Sequence, residues 1–411
     1  MGDVGSDVLF DVIGSLSMPA NGFRRPEGRT VLFVTNTPGY GGTEKHLLEL
    51  LRRLGNCGVR SLILCVGTDP YSDRLNGRNH GKVSIRCEKA LKSIWDWFRV
   101  FRDIRPDVVV FVYGTLTQHP WYASVAGRFA GIRRLYAIQQ LIPPPVPPKV
   151  EVRSIHDLLE RLIGKRTRWV LRSTVQSYLC DKTICVSNAV RESLVRDYRF
   201  PRRKTVTVHN SVSVSEFAPS GNAGAAIRTK LELGSEEFVL VCAARLSEEK
   251  GIDILLLAMS QLLHRNLQCK CIIVGDGDLR EKLLEQVRAL GLTHHVFMVG
   301  FQEDVRPYLL AGNAFVLTSH KEGLPFAVLE AMACGLPCVV TNVGGNVEAV
   351  AHNVNGFVVS AGSVDEVAEA ISSLLADPHE CARMSRVARS IACEQFDIEP
   401  KMADTKKIIL A

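Results

Sequence analysis

The sequence predicts an α/β protein of two domains in tandem, each a parallel sheet with helices on its faces. Three observations predict it. Short apolar runs rich in β-branched residues recur, helical segments lie between several of them, and the alternation restarts after about residue 205. The length of 411 residues agrees, being more than one hydrophobic core usually serves.

The elements follow in chain order. Residues 1–29 read as a flexible tail. TVLFVTN (30–36) is a buried strand pattern, and GYGGTEKHLLELLRRLG (39–55) a glycine turn opening a helix that Gly55 stops. Further strands are expected at 61–67, 107–113, 134–139 and 182–187. IPPPVPP (142–148) breaks regular structure and reads as a stiff surface connector. RLIGKRTRWVLR (161–172) is basic with apolar residues interleaved, the pattern of a surface helix or of one lying on an anionic membrane. The second set of strands is expected at 205–210, 238–244, 269–275, 296–300, 314–319 and 338–343. Helices are expected at 278–290 and 363–375. The domains are therefore taken as 30–205 and 206–395, with function in loops at the carboxyl ends of the strands and in the cleft between the domains.

Composition narrows the class. With 46% apolar and 23% charged residues, the chain is an ordinary globular protein, and disorder along most of it is excluded. A net charge of +7 permits an anionic ligand or membrane surface but does not imply nucleic acid. No signal peptide and no apolar run approaching ~20 residues is found, so no transmembrane helix is expected. Most of the 12 cysteines sit in apolar runs, which reads as reduced thiols in a cytoplasmic protein. Cys269 and Cys271 fall in one strand pattern and are expected on opposite faces, which argues against a shared metal.

The chemistry concentrates in the second half. HKEGLPFAVLEAM (320–332) keeps two carboxylates, Glu322 and Glu330, in an apolar setting. A buried carboxylate is costly unless paired or hydrogen-bonded. Glu322 is expected at a loop tip after a strand, with Pro325 in the first helical turn and Glu330 inside the helix. The backbone N–H groups of Gly323, Leu324 and Phe326, with Pro325 among them giving none, border the helix start, where an anion is favoured. Two carboxylates with an anion seat between them fit a ligand that runs hydroxyls, anion, hydroxyls: a sugar, a diphosphate and a ribose. CAARLSEEKGIDIL (242–255) adds two cations, Arg245 and Lys250, beside a helix start. At ~4 Å and an effective dielectric near 20, each charge pair is worth about 4 kcal/mol before desolvation. Alone, the pair would read as two exposed basic residues. VGDG (274–277) is read as a turn without chemistry, and no aspartate–x–aspartate metal motif stands in a suitable loop.

These motifs, with CVSNAVRESL (185–194), VHNSV (208–212) and ACGLPCVVTNVGGNVEAV (333–350), resemble the retaining glycosyltransferases of the GT-B fold, family 4 type. The resemblance runs from about 30 to 395. It implies two Rossmann-like domains facing across a cleft, the first binding the acceptor and the second a nucleotide-diphosphate sugar. It places Glu322 on donor-sugar hydroxyls, Glu330 on the ribose, and Arg245 and Lys250 on the diphosphate. Gly41 and Gly42 let the first domain's backbone close on the donor, and Gly344 and Gly345 form either a second such pair or a tight turn. Glu44 reads as an ordinary helix-start acid. A histidine near the transferred sugar would be His119, although the count from RFAGIRR falls nearer Thr115. The resemblance implies no cofactor and no metal. The acceptor would be a glycan or a lipid-linked glycan of the cell surface, met at the inner membrane face, and 396–411 would pack back on the first domain. The rival readings are a nucleotide-sugar epimerase of the same fold and a silent binding subunit of a transferase complex.

Overall fold

A computed structural model describes residues 29–36, 41–67, 69, 71, 83–88, 91–114, 121–143, 165–219 and 221–411, with 165–170 described by backbone alone. The first sheet contains β1 (Thr30–Thr35), β2 (Arg60–Val66), β3 (Val83–Glu88), β4 (Val108–Tyr113), β5 (Arg134–Gln139), β6 (Lys182–Cys185) and β7 (Thr205–Thr207). Around it lie α1 (Gly42–Gly55), α2 (Ile94–Ile104), α3 (Trp121–Phe129), α4 (Lys165–Leu179) and α5 (Asn188–Tyr198). After α6 (Ala223–Lys230) the second sheet is built from β8 (Val239–Ala243), β9 (Lys270–Val274), β10 (Val296–Gly300), β11 (Ala314–Leu317), β12 (Cys338–Thr341) and β13 (Gly356–Val359). Its helices are α7 (Ile252–His264), α8 (Arg280–Ala289), α9 (Arg306–Leu310), α10 (Phe326–Ala333), α11 (Asn346–Ala349), α12 (Val364–Ala376) and α13 (Pro378–Gln395), and α14 (Ile398–Leu410) ends the chain.

Every strand pairing is parallel, in the orders β3-β2-β1-β4-β5-β6-β7 and β10-β9-β8-β11-β12-β13. Each order reverses beside its first strand, between β1 and β4 and between β8 and β11. Loops at the carboxyl ends diverge there and leave a crevice for a ligand. β1, β4, β8 and β11 are buried on both faces, which is why they read as continuous apolar runs.

Three expectations need correction. The strand at 205–210 was expected to open the second domain, but Thr205–Thr207 pairs with β6 and closes the first sheet. Strands β3 and β13 were not anticipated. The first, VSIRCE, is an edge strand with no fully buried residue, and the second is only four residues, GFVV. Cys269 and Cys271 do not point to opposite faces. Residues two apart on a strand share a face, and both thiols pack in one core cluster of the second domain.

The last helix, α14, lies against the first domain. Val212 bridges to Asp397 in a parallel pair. The Arg53 guanidinium donates to both carboxylate oxygens of Glu399 at 2.6 and 2.7 Å, and Arg29 and Arg134 reach the carbonyl of Leu410.

Glu348, on α11 of the second sheet's layer, closes the domain junction. It accepts from the backbone N–H groups of Asn188 and Ala189, both at 2.8 Å, and so caps α5 of the first domain. It also pairs with His209 at 2.8 Å and accepts from the Asn188 amide at 2.9 Å. Burial pushes its pKa up, but His209 and the two N–H donors outweigh that, and the net shift is below the ordinary 4.5. The bonds therefore contribute in full above that value and fade as acid protonates the carboxyl. Glu348→Gln should cost about 1.5–3 kcal/mol near neutral pH, the worth of charge-assisted bonds. A melting-temperature series should show the variant and wild type converging as pH falls below 4.5. A constant difference across that range would remove Glu348 from the pH dependence.

Candidate functional site

The site is assembled from loops that follow β8, β9 and β11, facing the start of α1. The 245–251 loop ends in a short 3-10 turn, Glu248–Lys250, and Gly251 opens α7. Gly251 has φ +57°, and a Cβ there would meet the Thr318 carbonyl at 2.4 Å. Only glycine combines that backbone with that approach. Thr318 Oγ1 donates to the Gly251 carbonyl at 2.7 Å, and His320 N–H to the Glu249 carbonyl at 2.8 Å. Two loops far apart in sequence are stitched into one platform.

On that platform Lys250 Nζ lies 2.7 Å from Glu322 Oε1, and Ser319 Oγ donates to the same oxygen at 2.7 Å. Glu322 is 3% exposed. Both donors meet Oε1, and among the described residues none meets Oε2, which remains available to a hydroxyl. Ser319 is itself fixed: Thr341 Oγ1 donates to its carbonyl at 2.6 Å, and Asn346 Nδ2 to the Thr341 carbonyl at 3.0 Å. Arg245 is exposed and has no ion pair among the described residues. The two cations thus differ, one neutralised by a buried partner and one open to an incoming anion.

Pro325 stands just before α10 rather than in its first turn, and Gly335, at φ +79°, follows the helix end. The chain from Gly323 to Phe326 leads into the helix between the two carboxylates. Glu330 lies inside α10, and burial raises its pKa above the ordinary 4.5, with Asp304 adding to the rise and Lys45 opposing it. Lys45 comes from the first domain, where its Nζ donates to the Glu303 carbonyl at 3.1 Å.

The first domain meets this platform through glycines. A Cβ on Gly42 would fall 2.4 Å from the Phe326 ring, and one on Gly323 only 1.8 Å from the Gln140 carbonyl at the end of β5. Gly41 precedes α1, and its N–H donates to Glu44 at 2.8 Å. Gly345 N–H donates to the Gly323 carbonyl at 2.6 Å, while Gly344, at φ +58°, passes beside the Glu322 carbonyl. The pair therefore forms a turn against the site loop. Asn210 Nδ2 holds the Leu324 carbonyl at 2.8 Å.

Known proteins resemble the chain along most of its length. Residues 40–216 match the family model Glycosyltransferase Family 4, and 225–391 match Glycosyl transferases group 1. The GDP-mannose-dependent alpha-(1-6)-phosphatidylinositol monomannoside mannosyltransferase of Mycobacterium tuberculosis is 33% identical over 398 residues, covering 91% of this chain and 97% of that one. The chain belongs to the family 4, group 1 glycosyltransferases. The Escherichia coli UDP-Gal:alpha-D-GlcNAc-diphosphoundecaprenol alpha-1,3-galactosyltransferase is 28% identical over 389 residues, covering 92% of this chain and 96% of the relative. Anabaena HepE, solved with UDP-glucose, aligns with a TM-score of 0.72 at 23% identity, covering 92% of this chain and 99% of that one. The two-sheet architecture is the GT-B fold.

Of the residues expected in this glycosyltransferase's site, Lys250 and Glu322 are brought into contact, with Arg245 on the loop that ends in Lys250, and Gly323, Leu324, Pro325 and Phe326 lead from Glu322 into the helix that carries Glu330. Gly42 meets Phe326 from the first domain, and Gly41 precedes it. His119 and Thr115 lie outside the described residues, as do 144–148 of the proline run and 161–164 of the basic stretch. Sequence reasoning missed Ser319, which only its three-residue spacing from Glu322 could have flagged. It missed His46, whose ring packs 5.3 Å from Phe326 and whose pKa burial lowers to about 4. It also gave the GDG turn no role. Cβ atoms on Gly275 and Gly277 would strike the carbonyls of Ala244 and Leu246, so these glycines let the 275–279 loop support the Arg245 loop. No helix among the described residues is long and apolar enough to cross a membrane.

Proposed function

We propose that this glycosyltransferase moves a sugar from a nucleotide-diphosphate sugar to a hydroxyl of a glycan or lipid-linked acceptor in cell-surface polysaccharide or glycolipid synthesis, retaining the anomeric configuration. The observation that carries the reading is the buried Lys250–Glu322–Ser319 cluster with the exposed Arg245 beside it. Glu322 Oε2 would accept from the donor sugar, and Glu330 from the ribose. Arg245 and Lys250 would stabilise charge on the departing diphosphate without a divalent metal. The departing phosphate would take the acceptor's proton on the face it leaves. A lipid-linked acceptor fits the two relatives just named. It also fits a protein at the cytoplasmic membrane face, touching it peripherally through 161–172, where Leu171 is 61% exposed beside exposed Arg172.

Nucleotide release tests the proposal. The purified chain is incubated with UDP-, GDP- and ADP-sugars, with and without EDTA and anionic vesicles, beside Glu322→Ala and Lys250→Ala. Slow, EDTA-insensitive release from one donor, lost in both variants, is expected. No release from any donor, and no thermal stabilisation by any nucleotide, would move the reading to a silent binding subunit.

The raised pKa of Glu330 adds a pH signature. Its carboxylate must be ionised to accept from the ribose, so nucleotide affinity should weaken as pH falls, beginning above the ordinary 4.5. Glu330→Gln should bind about 10- to 100-fold more weakly at neutral pH, the loss of one charge-assisted bond. Its titration calorimetry should be flat over the window where wild type changes. A variant that keeps the wild-type slope would assign the titration elsewhere.

A further inference from the structure

We infer that Cys65, Asp69 and Cys87 form a binding site for a thiophilic divalent cation, zinc above all, at the outer edge of the first domain. Cys65 on β2 and Cys87 on β3 are direct partners in the parallel ladder. In-register neighbours project their side chains to the same face of a sheet, so the two thiols stand side by side. Asp69 follows in the chain after β2, and its Oδ1 lies 4.0 Å from Cys65 Sγ. The candidate ligand atoms of all three residues fall within 4.8 Å of one another. Among the described residues no other set of three such side chains does so.

The spacing suits a tetrahedral ion. Zinc–sulfur bonds of about 2.3 Å put two thiolates about 3.7 Å apart, so each ligand needs to move in by less than about 1 Å. Two sulfurs and one carboxylate oxygen select zinc over magnesium or calcium, which prefer oxygen alone. The aspartate is already oriented, because Tyr71 N–H donates to its Oδ1 at 2.9 Å. A partner of that kind behind a ligand steadies it for metal. Cys65 is buried, whereas Asp69 and Cys87 are exposed, which gives the ion a route in and leaves a fourth position for water.

The position suggests what the ion does. β3 has no fully buried residue, and among the described strands it pairs with β2 alone, at the edge of the sheet. A metal shared by β2, its following loop and β3 would clamp that edge. It would take no part in sugar transfer, since Arg245 and Lys250, the cations assigned to the diphosphate, come from the other domain. The inference is independent of the proposed donor and acceptor.

The test uses the full chain, reduced and stripped of metal, titrated first with cobalt(II) and then with zinc. One equivalent of cobalt should produce the near-ultraviolet thiolate-to-cobalt absorption, and zinc should abolish it. Zinc should also raise the melting temperature by a few degrees. Cys87→Ser should lose the absorption and the stabilisation, and Asp69→Asn should weaken binding at least tenfold. Cys393→Ser, a change of another exposed thiol, should bind like wild type. Nucleotide release should be the same in Cys87→Ser as in wild type. Absence of the absorption, its survival in Cys87→Ser, or a Cys65–Cys87 disulfide in the purified chain by mass spectrometry would overturn the site.

Discussion

Replacing Lys250 with alanine is expected to slow sugar transfer about 100- to 1,000-fold, the range seen when one preorganised charge-stabilising donor is removed. Two effects combine in that number. The ammonium is lost from the diphosphate seat, and Glu322, 3% exposed, loses the partner 2.7 Å away. Breaking a buried pair from one side costs about 3–5 kcal/mol, so the melting temperature should fall as well. Glu322→Gln separates the effects. In the double variant Lys250→Ala/Glu322→Gln no charge is orphaned, and the melting temperature should recover most of its loss. Activity should not recover if the ammonium itself steadies the leaving group. If Lys250 serves only to hold Glu322, the double variant will be no slower than Glu322→Gln alone. Arg245 supplies the contrast. It is exposed and unpaired among the described residues, so Arg245→Ala should lower kcat with the melting temperature unchanged. A Lys250→Ala enzyme within tenfold of wild type would remove the lysine from the leaving-group role.

The sequence spoke most clearly where one local pattern decides the structure. The buried strands of both sheets are apolar β-branched runs because each is covered on two faces, and they were legible for that reason. β3 was not, since an edge strand keeps polar side chains and its pattern resembles a loop. Thr205–Thr207 was visible as a strand, but which sheet it joins depends on a pairing with β6 that no local pattern encodes. The same division holds in the site. Glu322, Glu330, Arg245 and Lys250 could be picked out by residue type and by resemblance. That Lys250 is neutralised while Arg245 stays open could not, because it follows from how two loops some 70 residues apart are stitched together. Glu348 capping α5 across 159 residues is further still from any sequence signal. Each end of that contact, read alone, is an ordinary helix residue.

Gly323→Ala should abolish most activity while leaving both domains folded. The added Cβ would lie 1.8 Å from the Gln140 carbonyl and 3.2 Å from Val186, in the other domain. A carbon and an oxygen approach no closer than about 3.3 Å, so the two backbones must part by about 1.5 Å or more. Neither can yield alone. Gln140 is held by its N–H to the Tyr113 carbonyl at 3.3 Å, and Gly323 by Gly345 N–H at 2.6 Å. Relief therefore comes from opening the junction, which carries Glu322 and the helix start away from Gly41 and Gly42. A misplacement of about 1 Å in a catalytic array costs about 100-fold, so kcat should fall at least that far. The cost in stability is smaller, about 1–3 kcal/mol as for other overpacked sites, because each sheet keeps its own core. Solution scattering should report a larger radius of gyration for the variant than for wild type with nucleotide bound. Gly362→Ala is the control: its φ of +80° strains any side chain, but nothing lies within 4 Å, so it should lose stability alone. Gly323→Ala with activity within twofold of wild type would mean that transfer does not require the two domains to meet at this glycine.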